Sequence, residues 1–248
     1  MTPDDYMKET AVLVTCHPKH HIFMDTAFES WLGYEGTMLL GYDHDSLSDL
    51  PVGRWTPPIT HTFLTGKPAG YYGHHRGELW QLKLGAKRLL DMGFKYFYKT
   101  AADNCCYRWR NLARMFKVLF GKGRPQLIIC GTTQIFGELE IFSKLMDQWG
   151  DHVKHCGGAE CFFYHMLEDF KVRDVRNKVT WWNEILGLVH LQGEYALNTG
   201  ISVVDTWAIG QRWGKPYSHR DLDPRVKFLK PHIRKDYEAF ISQRKTVC

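Results

Sequence analysis

Between Lys95 and Asn104 the chain reads Lys-Tyr-Phe-Tyr-Lys-Thr-Ala-Ala-Asp-Asn, an aromatic, strand-like run that stops on a carboxylate and an amide. Just upstream, the stretch from Gly77 to Gly93 carries Leu79, Leu82, Ala86, Leu89 and Leu90 on the spacing of one helix face. A helix feeding a buried strand that is tipped by an acid confines the chain to α/β architectures, where ligands gather at the carboxyl ends of the strands. Asp103 is therefore the first candidate site residue, with Asn104 beside it. The alternative for the same segment is that Asp103 caps a helix starting near Cys105.

The rest of the chain repeats the theme. Ala11 to Thr15 is a short apolar, β-branched run, broken by Cys16-His17-Pro18, and fits a first buried strand. Met24, Phe28, Trp31 and Leu32 supply the apolar stripe of a following helix that stops at Gly33, and Thr37 to Gly41 resumes as strand. That second strand runs into Asp43 and Asp45, again acids at a strand end, and then into a long Pro- and Gly-rich loop that ends at His74-His75-Arg76. Pro125 to Gly131 reads as a further strand, leading through Thr133 and Gln134 to a helix with Leu139, Phe142, Leu145 and Met146. Gly157-Gly158 precede Glu160 at the start of an aromatic helix, and Leu186 to Gly193 reads as a strand ending in His190 and Gly193. The sequence shows no internal repeat, and it reads as one domain over residues 1–211 with a basic extension, 212–248, packed on it.

Composition sets the remaining bounds. With 248 residues, 44% of them hydrophobic, the chain can bury a sizeable core. The amino terminus has no basic and apolar leader pattern, and no apolar run approaches the roughly 18 residues of a membrane span, so a cytoplasmic protein without membrane insertion is expected. Seven cysteines, an odd number that includes the adjacent Cys105 and Cys106, suggest reduced thiols instead of a disulfide framework. His152, His155, Cys156 and Cys161 offer zinc donors on a spacing that matches no common finger.

The net charge of +5 is uneven: residues 212–248 hold ten Lys/Arg against four Asp/Glu, and Tyr107 to Arg124 holds six basic residues and no acid. Helical spacing puts Arg110, Arg114 and Lys117 on one face, either a solvated surface or one that binds a polyanion.

Gly-x-Gly-x-x-Gly, Gly-x4-Gly-Lys-Ser/Thr and Gly-x-Ser-x-Gly are all missing, which argues against dinucleotide, P-loop and α/β-hydrolase chemistry. What remains at the strand ends is Asp43, Asp45, Asp103, Asn104 and His190, hard oxygen donors with one imidazole. Such a set suits Mg²⁺ or Mn²⁺ bridging to a diphosphate.

In the order of these elements the chain resembles, over roughly residues 11–195, the GT-A fold of nucleotide-sugar glycosyltransferases. The resemblance implies a Rossmann-like α/β fold, a mixed and mostly parallel central sheet flanked by helices. It maps the last Asp of the family's Asp-x-Asp motif onto Asp103, while Ala101 stands where the first would be. It further implies a nucleotide-sugar donor, a uridine diphosphate sugar by family habit, with Mn²⁺ or Mg²⁺ held by Asp103 and His190. Asp43, Asp45, Thr15, His17 and Gly193 would line the donor site, and Lys99 and Arg108 would neutralise diphosphate charge. Thr133 and Gln134 would hold the acceptor, with Glu160 as the base on its hydroxyl.

Two basic segments suit a phosphate-bearing acceptor, such as hydroxymethylated bases in DNA of the viral DNA-modifying kind, or a glycan or lipid-linked acceptor at an anionic membrane. No obligate protein partner is implied. A non-catalytic nucleic-acid-binding protein on a degenerate transferase fold, and a nucleotidyltransferase, are the competing readings.

Overall fold

The computed structural model describes residues 2–16, 24, 27–42, 60–64, 74–106, 108–121, 123–130, 134–152, 172–174 and 185–190. Helix α1 (Pro3–Lys8) opens on a capping box in which Thr2 and Asp5 satisfy each other's backbone amides. Strand β1 (Thr10–Cys16) follows, then helical backbone at residues 27–29, β2 (Thr37–Tyr42) and β3 (His61–Leu64). Helix α2 (His74–Asp91) leads into β4 (Tyr96–Ala101) and the three-residue β5 (Asn104–Cys106). A 3-10 turn (Trp109–Asn111) enters α3 (Leu112–Leu119). The hairpin of β6 (Leu127–Cys130) and β7 (Gln134–Glu138) runs directly into α4 (Leu139–His152), and β8 (Val172–Asp174) and β9 (Leu188–His190) complete the set.

Among the described residues seven strands form one sheet in the order β3-β2-β1-β4-β7-β6-β8, and β5 and β9 form a separate antiparallel pair. Among the described residues only β7 runs against its neighbours, so the sheet is mixed and mostly parallel, as the resemblance implied. Strand β1 is buried along its whole length because apolar layers cover both faces, which is why it reads as a continuous apolar run with no alternation. The period of two sorts its side chains. Val12 and Val14 join Tyr98, Met24, Phe28, Trp31 and the inner side of α3 on one face. Ala11 and Leu13 join Phe97, the leucine stripe of α2 and Leu139, Phe142 and Met146 of α4 on the other. Helix α2 lies so close to the sheet that a Cβ on Gly85 would come within 2.5 Å of Leu13 Cδ1.

Four expectations are corrected. The Pro- and Gly-rich stretch after β2 is not all loop, since His61–Leu64 adds an edge strand parallel to β2. Gln134 does not sit in a connector at a strand's end but begins β7, paired with Cys130 of the antiparallel β6. Leu32 is 70% exposed and outside the apolar stripe, because the chain has already left the helix through turns and Gly33, at φ +77°, redirects it. Asp103 caps no helix: Asn104–Cys106 is a strand, and α-helical backbone resumes only at Leu112. The proposed extension 212–248 lies outside the described residues.

Candidate functional site

Strands β1, β2, β3 and β4 are parallel, so Cys16, Tyr42, Leu64 and Ala101 end on the same edge of the sheet. β1 is the point where the strand order turns: the chain moves outward from it through β2 to β3, then crosses back to β4 on its other side. That edge is where a crevice opens in folds of this type. The β1 and β4 ends are tied together here. Ala102 N–H donates to Thr15 O at 2.9 Å, and the Thr15 hydroxyl lies 3.4 Å from Thr100 O. The turn at Ala102-Asp103 therefore leaves the sheet in a fixed direction.

Asp103, at 2% exposed, and Asn104 are both buried at this turn. Asn104 Nδ2 donates to Thr100 Oγ1 at 3.2 Å, which fixes the amide's orientation. Across the antiparallel β5–β9 pair, Asn104 is in register with His190, so the backbone of the late histidine strand lies one residue from Asp103. The approach to β9 is stapled in place: Leu186 O accepts from Arg108 N–H at 3.0 Å and faces Cys106 Sγ at 3.6 Å, and Ile185 O accepts from Asn111 Nδ2 at 2.7 Å. Four segments thus converge on one place: the ends of β1 and β4, strand β5 and strand β9.

The remaining candidates divide. Gln134 lies at the same edge, but its side-chain oxygen accepts the Tyr98 hydroxyl and the residue is buried. Lys99 is on the sheet face beneath α2, where its ammonium meets Glu78 Oε1 at 2.5 Å with no side-chain exposure. That ion pair is a structural use of the charge that the sequence reading had assigned to a diphosphate. Arg108 is half-buried just past β5. His17, Asp43, Asp45, Thr133, Glu160 and Gly193 lie outside the described residues, as do His155, Cys156 and Cys161.

Two residues with no sequence signature also shape the site. Gln81 of α2 places its side-chain oxygen 2.9 Å from Cys16 N–H, satisfying the amide at the very end of β1 from 65 residues away. The Ser30 hydroxyl accepts from Cys106 N–H at 2.7 Å while donating to Ala27 O at 2.5 Å, and so moors β5. Nothing in local spacing could have announced either contact. The neighbouring Cys106 thiol is pushed well above its usual range by burial first and by Cys105 second, so it stays protonated and unreactive at neutral pH.

As a metal site the described residues offer Asp103 and the side-chain oxygen of Asn104. Among them no group of three His, Cys, Asp or Glu could enclose an ion. One carboxylate with an amide oxygen fits a Mg²⁺ or Mn²⁺ that takes its other ligands from water and substrate phosphate, and does not fit a closed structural site.

No known family's sequence pattern matches the chain, and no curated protein matches it. Among solved structures, it is similar to a protein from Desulfovibrio desulfuricans G20 assigned as a nucleotide-diphospho-sugar transferase. That likeness has 12% identity and a TM-score of 0.47 over 96% of this chain and 98% of the other. An active-site mutant of LgtC is similar at 9% identity and a TM-score of 0.44, over 66% and 72% of the two chains. Both scores lie under 0.5, so the weight rests on the chain's own geometry.

Proposed function

We propose that the chain transfers a sugar from a nucleoside diphosphate sugar, a uridine diphosphate sugar in the first instance, to a hydroxyl acceptor. The observation that carries this reading is the register of Asn104 against His190, which brings the acid-tipped turn after β4 and the late histidine strand to the edge where β1 and β4 end. A diphosphate lying there would meet Asp103 and, across the ladder, the strand that carries His190. Mg²⁺ or Mn²⁺ held by Asp103, with His190 as a further ligand, would offset the charge that develops on the leaving diphosphate. The protein's own part is to hold the turn rigid through Thr15, Thr100 and Asn104, so that donor groups need no rearrangement as charge develops. Asp43 and Asp45 are assigned to the nucleoside or metal and Glu160 to the acceptor hydroxyl.

The test is donor turnover. Incubation with a panel of nucleotide sugars and Mn²⁺ should release nucleoside diphosphate, and Asp103→Asn, which keeps the shape of the side chain, should lower the rate by roughly a hundredfold or more. A wild-type chain that turns over no donor with any hydroxyl acceptor, or an Asp103→Asn variant as active as wild type, would remove the basis of this reading.

A further inference from the structure

We infer that the outer face of the Trp109–Leu119 segment is a docking surface for an anionic lipid membrane. Arg110, Arg114 and Lys117 are all exposed and stand on one side of the 3-10 turn and α3, spread over roughly 10 Å at helical rise. Among the described residues none of the three has an ion-pair partner, and the Tyr107–Arg124 stretch contains no acid. Helix α3 earns its place in the fold through its opposite side, where Leu112, Met115, Phe116 and Leu119 are buried, so the cations are not needed for packing. The Arg110 guanidinium is held 4.4 Å from the centre of the Trp109 ring, an arrangement that presents it instead of letting it wander.

Exposed apolar groups flank these cations at both ends. Leu32 is 70% exposed, and a Cβ on its neighbour Gly33 would lie 3.4 Å from Arg110 Nη2, which places Leu32 beside the first cation. Phe120, immediately past α3, is 37% exposed although one side of its ring rests 4.6 Å from the Tyr6 ring. A single exposed Leu or Phe means little. Two of them beside three cations that have no ion-pair partner among the described residues form the mixed surface that an anionic bilayer accepts, apolar groups entering the headgroup boundary while Lys and Arg meet phosphates. Duplex DNA held by its phosphates alone would engage the three cations and leave Leu32 and Phe120 in water. Acids lie close in the chain to Leu32 (the exposed Glu29 and Glu35) and on α1, whose Tyr6 packs on Phe116 and Phe120 and which carries the exposed Asp4, so the docked area is confined to the face of α3 that holds the three cations.

The inference stands apart from sugar transfer, since a chain without turnover would still dock. The experiment is co-sedimentation of the full chain with phosphatidylcholine vesicles prepared with and without phosphatidylglycerol, across a salt series. Binding should require the anionic lipid and weaken with salt. The triple variant Arg110→Gln, Arg114→Gln, Lys117→Gln, which replaces only exposed side chains, should bind about a hundredfold more weakly, roughly fivefold per cation. Leu32→Ser should reduce the part of the binding that survives high salt. Triple-variant binding equal to wild type would overturn the inference by assigning the charge effect elsewhere, to the basic 212–248 stretch for one. So would a wild-type chain that ignores anionic vesicles yet binds duplex DNA through the same three residues.

Discussion

At the scale of single residues, the most informative group is Lys99, a cation buried completely beneath α2 with Glu78 as its partner at 2.5 Å. The two ends of this pair are unequal: the Glu78 side chain keeps 19% exposure and can turn toward water, whereas Lys99 has none. Removing one member of a buried pair takes compensation from the other, and the loss is felt most where the survivor cannot reach solvent. Glu78→Gln, which takes this carboxylate from the fully buried ammonium, should accordingly cost more than Lys99→Met, which leaves the partly exposed carboxylate behind. Urea unfolding of both variants and of the double variant decides the matter. A Lys99→Met more damaging than Glu78→Gln would show that the lysine acts through something other than this pair. The same residue shows what sequence alone leaves out: a lysine in a strand near an acid-tipped end looks like a diphosphate ligand, and only the register of β4 on β1 sets Lys99 opposite Leu13 on the helix-covered face.

At the scale of elements, the β6–β7 hairpin depends on backbone proximity. A Cβ on Gly137 would stand 2.3 Å from Gln126 O and 2.9 Å from Leu127 Cα, both backbone atoms that cannot step aside. Gly137→Ala should therefore cost about 3 kcal/mol or more, visible as a lowered urea midpoint, and a variant as stable as wild type would contradict the pairing of Leu127 with Gly137. Helix α1 carries the pH-dependent counterpart. Hydrogen bonds from the Thr2 backbone and hydroxyl hold the Asp5 carboxyl below its ordinary 3.8. Because the folded value is the lower one, the cap's contribution is present above the unfolded value and is lost as pH falls through the folded one, in the window below 3.8. Titration of the Asp5 carboxyl by NMR should give a midpoint under 3.8 that Thr2→Ala moves back up; an unmoved midpoint would deny the capping box.

These elements also mark the limits of what could be read from sequence. β1, β2, β4 and α2 were legible because burial leaves a periodic imprint along a continuous stretch, apolar runs for the central strands and a leucine stripe for the helix. β3 and β7 were not, since a four-residue edge strand amid prolines and a five-residue hairpin strand that includes Gly137 carry no such imprint; their partners, β2 and β6, supply what holds them. In the candidate site, Asp103 could be found from its place at the end of an aromatic run. Gln81 and Ser30 could not, because each acts on an amide more than sixty residues away and looks locally like any helix-face polar residue.

At the scale of the whole molecule, two apolar layers clamp the sheet from both sides, and the candidate edge is left where β1 and β4 emerge between them. The turn at Asp103 is tied to one layer through Ser30 and Cys106, and the end of β1 is tied to the other through Gln81. A diphosphate bound at that edge would draw on both attachments, so its binding should register as global stability and not as local ordering alone. A ligand that binds only the folded state at a hundred times its dissociation constant adds about 2.7 kcal/mol. For a chain of this length that is a rise in Tm of roughly 5–10 °C. Uridine diphosphate with Mn²⁺ should produce a shift of this order in the wild-type chain, the nucleotide without metal a smaller one, and Asp103→Ala should lose most of the metal-dependent part. An Asp103→Ala variant that shows the full shift, with Mn²⁺ and without it, would place nucleotide binding away from the β4 turn and leave the convergence of β5 and β9 as architecture alone.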